Sequence, residues 1–160
     1  MVYIVMGVSG CGKSTIAQML ADNLSIPFHD GDDYHPKANV DKMASSQALN
    51  DDDRQPWLEL LAVNIQLWNR GNGAVLACSA LKQKYRQTLA KFDGVQFIHL
   101  AGSQEVIANR MKARDHFMPP VLLQSQFDTL ESPQDAWEYD IQLSPEQIIA
   151  GIKEKVSCQV

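Results

Sequence analysis

The feature that most constrains the fold is a glycine-rich segment that joins a short apolar run to a helical pattern. Val2–Met6 is continuously apolar and rich in β-branched residues, which is typical of a strand buried on both faces of a parallel sheet. Lys13–Leu24 carries apolar residues at helical spacing. Between them, residues 7–14 fit the pattern G-x-x-x-x-G-K-[ST]. The order strand, loop, helix therefore predicts a phosphate-binding loop in an α/β protein.

The residue types of this loop suit a nucleotide. Glycines let the backbone fold around phosphate oxygens, and the helix that follows presents its positive end to the same anion. Lys13 is predicted to reach the β- and γ-phosphates, and the Ser14 hydroxyl to ligate Mg²⁺. The predicted nucleotide-binding residues are Gly7, Val8, Ser9, Gly10, Cys11, Gly12, Lys13 and Ser14. The alternative is a glycine-rich turn without a ligand, but such a string arises by chance in roughly one in two hundred chains of this length. The loop therefore favours ATP.

The rest of the chain alternates short apolar runs with helical stripes, which predicts an α/β fold with a parallel sheet. Five strands are predicted, at residues 2–6, 27–29, 74–78, 95–100 and 139–143. Helices are predicted at residues 13–24, 36–44, 81–92, 103–114 and 121–130, with two more opened by residues 50–53 and 144–147. The 160 residues are expected to form one domain, 1–160, because domains usually run to about 100–200 residues.

The composition indicates which classes of ligand and which cellular compartment to expect. The chain has 14 Lys and Arg against 19 Asp and Glu, a net charge of −5, which argues against nucleic acid as a ligand. Its three cysteines form no C-x-x-C or Cys/His cluster, so a reduced, cytoplasmic setting is expected. No stretch approaches the roughly 18 apolar residues of a membrane span, so no membrane association is expected.

Acidic residues follow the second predicted strand. Asp30 and Asp32 stand at its end, whereas residues 78–80 and 100–102, after the third and fourth strands, carry no carboxylate. Ligands of open α/β sheets bind at the carboxyl ends of the strands. Asp30 and Asp32 are therefore the acids best placed to meet a metal ion and an acceptor hydroxyl. The alternative is an acidic turn without a ligand.

Five segments between about residues 3 and 133 resemble the gluconokinases. They comprise residues 6–10 with 12–14; 30–33 with 35–36; 39–43 with 49–54 and 56–58; 78–82 with 85–86; and 114 with 116–119, 122–123, 125–127 and 130–131. In one difference, only Asp115 separates Arg114 from His116, where the family usually has a further residue.

The resemblance implies ATP-dependent phosphorylation of D-gluconate at its 6-hydroxyl, giving 6-phospho-D-gluconate and ADP, with Mg²⁺. It implies a three-layer α/β/α P-loop kinase fold like that of the nucleoside monophosphate kinases, with a five-stranded parallel sheet. It also implies a helical lid at about residues 110–125 and a homodimer. The rival interpretations are a kinase of the same fold for another small acceptor, such as shikimate or a nucleoside monophosphate, and a nucleotide-binding module without transfer chemistry.

Phosphoryl transfer depends on positioning and charge neutralisation, so basic and acidic residues are the candidates. Arg110 and Arg114, four apart, share a helix face that the resemblance identifies with the lid; the alternative is a solvated basic face. Asp32 is predicted to orient or deprotonate the acceptor hydroxyl, and Asp30 to hold Mg²⁺ together with Ser14, although the two acids can exchange roles. The predicted catalytic residues are Lys13, Asp32, Arg110 and Arg114.

The gluconate site is predicted from basic residues near the strand ends. Lys82 and Arg86 are four apart and follow the third strand, and with Arg54 they are candidates for binding the gluconate carboxylate. For each of them a surface role is the common alternative. His35 is predicted to hydrogen-bond substrate hydroxyls, the alternative being a residue that only precedes the helix starting at Pro36. The predicted substrate-binding residues are Asp32, His35, Arg54, Lys82 and Arg86.

Overall fold

A five-stranded parallel sheet runs through the centre of the protein in the order β2-β3-β1-β4-β5. The structure is a computed structural model that describes residues 1–113 and 120–159. The strands are β1 (Val2–Met6), β2 (Phe28–Asp30), β3 (Ala74–Ala77), β4 (Val95–Ala101) and β5 (Trp137–Asp140). The predicted parallel sheet of five strands is confirmed.

The helices are α1 (Lys13–Leu24), α2 (Lys37–Ala44), α3 (Asp51–Arg70), α4 (Gln83–Leu89), α5 (Gln104–Ala113), α6 (Pro120–Thr129) and α7 (Pro145–Cys158), with a short 3-10 helix at Gly31–Tyr34. Two of them begin as their capping residues predict. The Asn50 side chain accepts from the Asp53 backbone N–H and the Asp53 side chain accepts in return, and Ser144 and Gln147 do the same for α7. Both helix starts are therefore fixed by local sequence.

Two elements differ from the predicted bounds for identifiable reasons. The helix predicted at residues 81–92 covers only α4, because Ala80 is in a left-handed conformation and Lys82 is extended, so the helix begins only after Lys82. The strand predicted at residues 139–143 ends at Asp140, whose carboxylate accepts from the Gln142 backbone N–H and turns the chain.

The core lies in two layers, one on each face of the sheet. Along β1, Tyr3 and Val5 face a cluster built with α1, α5 and α7, whereas Val2, Ile4 and Met6 face a cluster built with α3 and α4. This alternation gives the predicted three-layer α/β/α arrangement. Within the described part of the chain, no helix is both long and apolar enough to cross a membrane.

Candidate active site

A cleft of about 490 Å³ opens at the carboxyl ends of β1, β2 and β3. Five parts of the chain line it: the loop after β1 with the first turn of α1, the end of β2, the first turn of α3, the segment from the end of β3 to Leu81, and the second half of α6. The charged and hydroxyl-bearing residues on its wall include Lys13, Ser14, Asp30, Asp32 and Arg54. The fold thus brings together the loop, both acids and one of the predicted substrate-binding arginines.

The glycine-rich loop folds tightly over the core. Gly10 has a φ of 82°, a conformation that favours glycine, and a Cβ there would lie 2.6 Å from a side-chain carbon of Met111. Both the backbone conformation and the packing therefore favour glycine at this position. The side chains of Val8 and Cys11 are buried, and the Cys11 backbone N–H donates to the Val8 backbone oxygen at 3.3 Å, which closes the turn of the loop.

The positive groups of the loop lie at the cleft. Gly12 gives α1 no side-chain cap, and Gly12, Lys13 and Ser14 all line the cleft, so the first amides of α1 are available to an anion. The Lys13 ammonium group donates to the backbone oxygens of Gly7 at 3.1 Å and Val8 at 3.2 Å. The predicted phosphate-binding lysine is therefore folded onto its own loop.

Gln126 of α6 connects the loop to the segment after the predicted lid. Its side-chain oxygen accepts from the Ser9 backbone N–H at 2.7 Å, and its amide nitrogen donates to the Ser9 hydroxyl at 2.9 Å. Sequence reasoning gave this residue no role. The signal for it was its place in the fifth segment of the resemblance, residues 125–127.

The two acids differ in their surroundings. The Asp30 carboxylate accepts from the Asp32 backbone N–H at 3.0 Å, which orders the turn after β2. The Asp32 side chain is 86% exposed, so its carboxylate is open to a ligand. Protein atoms displace part of its hydration and the charge of Asp30 repels its own, so the pKa of Asp32 is raised above its ordinary value. Such a shift suits a group that accepts a proton.

His35 stands beside Asp32. Its Nε2 atom lies 4.0 Å from an Asp32 carboxylate oxygen, and its ring stacks on Trp57 with 4.2 Å between ring centroids. Burial lowers the pKa of His35 below its ordinary value, against the opposing effect of the Asp32 charge. Asn39, which the sequence analysis did not single out, has its side-chain nitrogen 3.3 Å from Nδ1 of His35.

Arg54 lines the cleft, and a hydrogen bond to a tyrosine outside the cleft wall positions its guanidinium group. It donates to the Tyr85 hydroxyl at 3.1 Å, and that hydroxyl donates to the Asp51 carboxylate. Asp51 also pairs with Lys82, at 3.1 Å, and with Lys84. Hydrogen bonds from Lys84 first, then Tyr85 and Lys82, hold the pKa of Asp51 well below its usual range.

Lys82 and Arg86 are not among the described residues that line the cleft. Lys82 is engaged with Asp51 as above. Arg86 is buried, and it donates to the backbone oxygens of Ala80 at 2.7 Å, Leu81 at 3.1 Å and Glu131 at 2.7 Å. Its guanidinium group joins the β3–α4 turn to the segment after α6. The structure thus gives Arg86 a structural role that differs from the predicted carboxylate binding.

The predicted lid is described only in part. Arg110 of α5 donates to the backbone oxygen of Ile141, just after β5, and it is not among the described residues that line the cleft. Arg114, like His116, lies outside the described residues. The lid prediction for residues 110–125 therefore stays a prediction.

The comparisons with known proteins agree with this geometry. The family model described as shikimate kinase matches residues 9–139. A gluconokinase of Arabidopsis thaliana is 42% identical, with 98% of this chain and 92% of that protein covered. The thermoresistant gluconokinase of Escherichia coli K12 is 41% identical, with 97% and 93% covered. The crystal structure of a gluconokinase from Sinorhizobium meliloti 1021 superposes with a TM-score of 0.84 at 37% identity, covering 99% of this chain and 96% of that one.

The glycine-rich loop at the cleft, the parallel sheet, and sequence identity of 41–42% over nearly the whole chain all support the same family assignment. The chain belongs to the shikimate-kinase-like family of P-loop kinases and, within it, to the gluconokinases.

Proposed function

We propose that the protein transfers the γ-phosphoryl group of ATP to the 6-hydroxyl of D-gluconate, giving 6-phospho-D-gluconate and ADP. The observation that carries this proposal is the single cleft that holds the phosphate loop, the exposed carboxylate of Asp32 and the guanidinium group of Arg54. The membership of the gluconokinase family supports gluconate as the acceptor.

The cleft residues divide the work of the transfer. The loop amides and Lys13 bind the phosphates, and Asp32 receives the proton of the attacking hydroxyl. The hydroxyl oxygen forms a bond to the γ-phosphorus while the bond from that phosphorus to the β–γ bridging oxygen breaks. The bridging oxygen keeps the electron pair and leaves with ADP. The raised pKa of Asp32 supports its role as the proton acceptor.

Magnesium fits the donor set of the cleft. The Ser14 hydroxyl and the Asp30 carboxylate are oxygen ligands of the kind that Mg²⁺ prefers, and both line the cleft. We propose that these two residues would hold the ion, which would supply charge neutralisation on the phosphates.

For the acceptor we propose that Arg54 binds the gluconate carboxylate, because a guanidinium fork matches a carboxylate and the Tyr85 hydroxyl holds it in place. His35 would contact a substrate hydroxyl. Lys82 would join Arg54 only after exchanging its ion pair with Asp51. Arg86 is left out, since backbone oxygens take up its donors.

The proposal extends to the setting of the enzyme. We propose one domain over residues 1–160, a lid at about 110–125 in which Arg110 and Arg114 close over the phosphoryl group, a homodimer, and a cytoplasmic location. The resemblance to the gluconokinases supports the lid and the homodimer, the length of 160 residues supports one domain, and the three free thiols support a reducing compartment. The net charge of −5 supports small-molecule partners and not nucleic acid.

An assay of ADP release tests the acceptor. With ATP and Mg²⁺ present, D-gluconate should stimulate ADP formation at least about a hundredfold more, in kcat/KM, than shikimate or a nucleoside monophosphate. Shikimate is the specific rival, since the matching family model is that of shikimate kinase. ADP release that depends on shikimate and not on gluconate would reject the proposal.

Asp32→Asn tests the proton acceptor. The variant keeps the shape of the side chain but cannot take the proton, so kcat should fall about 10²- to 10⁴-fold while the affinity for ATP remains. Asp33→Asn, at the exposed neighbouring position, is the matched control and should keep kcat within about twofold. Full turnover by Asp32→Asn would remove this residue from the mechanism.

A further inference from the structure

The plane of the His35 ring is fixed by stacking. The ring lies nearly parallel to Trp57, at an interplanar angle of 15°, and the side chain is only 6% exposed. The indole is held in turn, because its Nε1–H donates to the backbone oxygen of Gly31 at 2.7 Å. Stacking alone leaves open which ring nitrogen carries the proton.

Asn39 settles the position of that proton. Asn39 is itself buried, and its Nδ2 atom lies 2.8 Å from the backbone oxygen of Asp53. A backbone oxygen can only accept, so the amide nitrogen must be the atom on that side. The same nitrogen is 3.3 Å from Nδ1 of His35, and an amide nitrogen can only donate, so it shares its second hydrogen with Nδ1. Nδ1 must therefore accept, and the proton of the neutral imidazole stands on Nε2.

The Nε2–H group faces the reactive carboxylate. The 4.0 Å between Nε2 and the Asp32 oxygen is too long for a hydrogen bond, but an oxygen atom about 2.8 Å from each fits between them. A hydroxyl in that place accepts from Nε2–H and donates to the carboxylate. Its second lone pair is then free to point at the γ-phosphorus.

We propose that Asn39 is a positioning residue that keeps His35 in the Nε2–H tautomer. His35 and Asp32 can then hydrogen-bond the same hydroxyl group of the acceptor, His35 as the donor and Asp32 as the acceptor. This inference rests on the proposed function, because the hydroxyl group between His35 and Asp32 is taken to belong to gluconate. Asn39 itself touches His35 and the Asp53 backbone, so it acts only through the histidine.

The tautomer can be measured without substrate. Long-range ¹H–¹⁵N spectra of the ¹⁵N-labelled full chain at pH 7.5, with His35 identified by its loss in His35→Gln, should show a neutral ring protonated at Nε2. Asn39→Asp replaces the donor with an acceptor and should place a proton on Nδ1. A wild-type ring protonated at Nδ1 would overturn the proposal whatever the protein phosphorylates.

A double-mutant cycle tests the consequence for the reaction. Asn39→Ala should lower kcat/KM for gluconate about tenfold, with the KM for ATP within about twofold. In the His35→Gln background, where the amide supplies a donor that needs no tautomer, the same change should cost less than about twofold. An equal loss in both backgrounds would show that Asn39 acts through Asp53 and α3, and the positioning role would fall. Absence of gluconate phosphorylation by the wild type would instead reject the proposed function and leave the tautomer measurement standing.

Discussion

Arg86 is the residue for which the sequence and the structure indicate two different roles. Its spacing from Lys82 made it one candidate for substrate binding, whereas its surroundings make it a structural connector between the β3–α4 turn and the segment after α6. Arg86→Met keeps much of the side chain's volume and removes all of its donors. The two interpretations predict opposite effects on stability and on the KM for gluconate.

The loss of stability in Arg86→Met can be worked out from the backbone oxygens that lose a hydrogen-bond donor. The Leu81 oxygen keeps a partner, because it also accepts from the Glu131 backbone N–H at 2.8 Å. The oxygens of Ala80 and Glu131 lose short bonds of 2.7 Å to a charged group. At about 1–2 kcal/mol for each, the free energy of unfolding should fall by about 3 kcal/mol. For a chain of 160 residues this lowers Tm by about 6–12 °C.

Urea titration followed by tryptophan fluorescence measures the stability, and steady-state kinetics at a temperature where the variant is folded measures the KM. We expect a lowered urea midpoint and a KM for gluconate within about twofold of the wild type. Gln87→Met, at the exposed neighbouring position of α4, is the matched control and should change neither. An unchanged midpoint with a KM raised tenfold or more would refute the structural role and restore Arg86 to the substrate site.

Three further predictions address other parts of the site and fold. Tyr85→Phe removes the hydroxyl that accepts from Arg54 and should raise the KM for gluconate about three- to tenfold, with kcat and the KM for ATP nearly unchanged. Gly31→Ala places a Cβ 2.9 Å from a backbone oxygen of β3 and should lower the free energy of unfolding by about 1–3 kcal/mol; an unchanged urea midpoint would contradict it. Burial lowers the pKa of His99, against the opposing effect of its hydrogen bond to a glutamate, so the unfolded chain binds the proton more readily. Stability should therefore be full above about pH 6.5 and fall below it, and His99→Gln should flatten that dependence of Tm on pH.

Local patterns were enough to predict most of the fold. The glycine pattern of residues 7–14 and the caps at Asn50 and Ser144 act within a few residues of the chain, so the sequence displays them directly. The Asp30 and Asp32 pair was also predictable, because the carboxyl ends of parallel strands meet at one edge of the sheet.

The fate of each basic side chain was not predictable in the same way. Arg54, Lys82 and Arg86 are alike in sequence terms, but only Arg54 lines the cleft. Lys82 is drawn to Asp51, 31 residues earlier, and Arg86 to a backbone oxygen at Glu131, 45 residues later. Such pairings depend on tertiary contacts that no spacing rule contains.

The stretch from the end of β2 to the first turn of α3 has a consequence for how such an enzyme can change its acceptor. Asp32, His35, Asn39 and Arg54 all lie within residues 30–54, whereas the nucleotide loop is confined to residues 7–14. The residues that we propose to meet the acceptor thus lie in one continuous piece of about 25 residues. Exchanging residues 31–54 as a cassette, with Asp30 kept as the proposed Mg²⁺ ligand, would change these acceptor residues while leaving the nucleotide loop intact, so the two specificities can diverge independently on this fold.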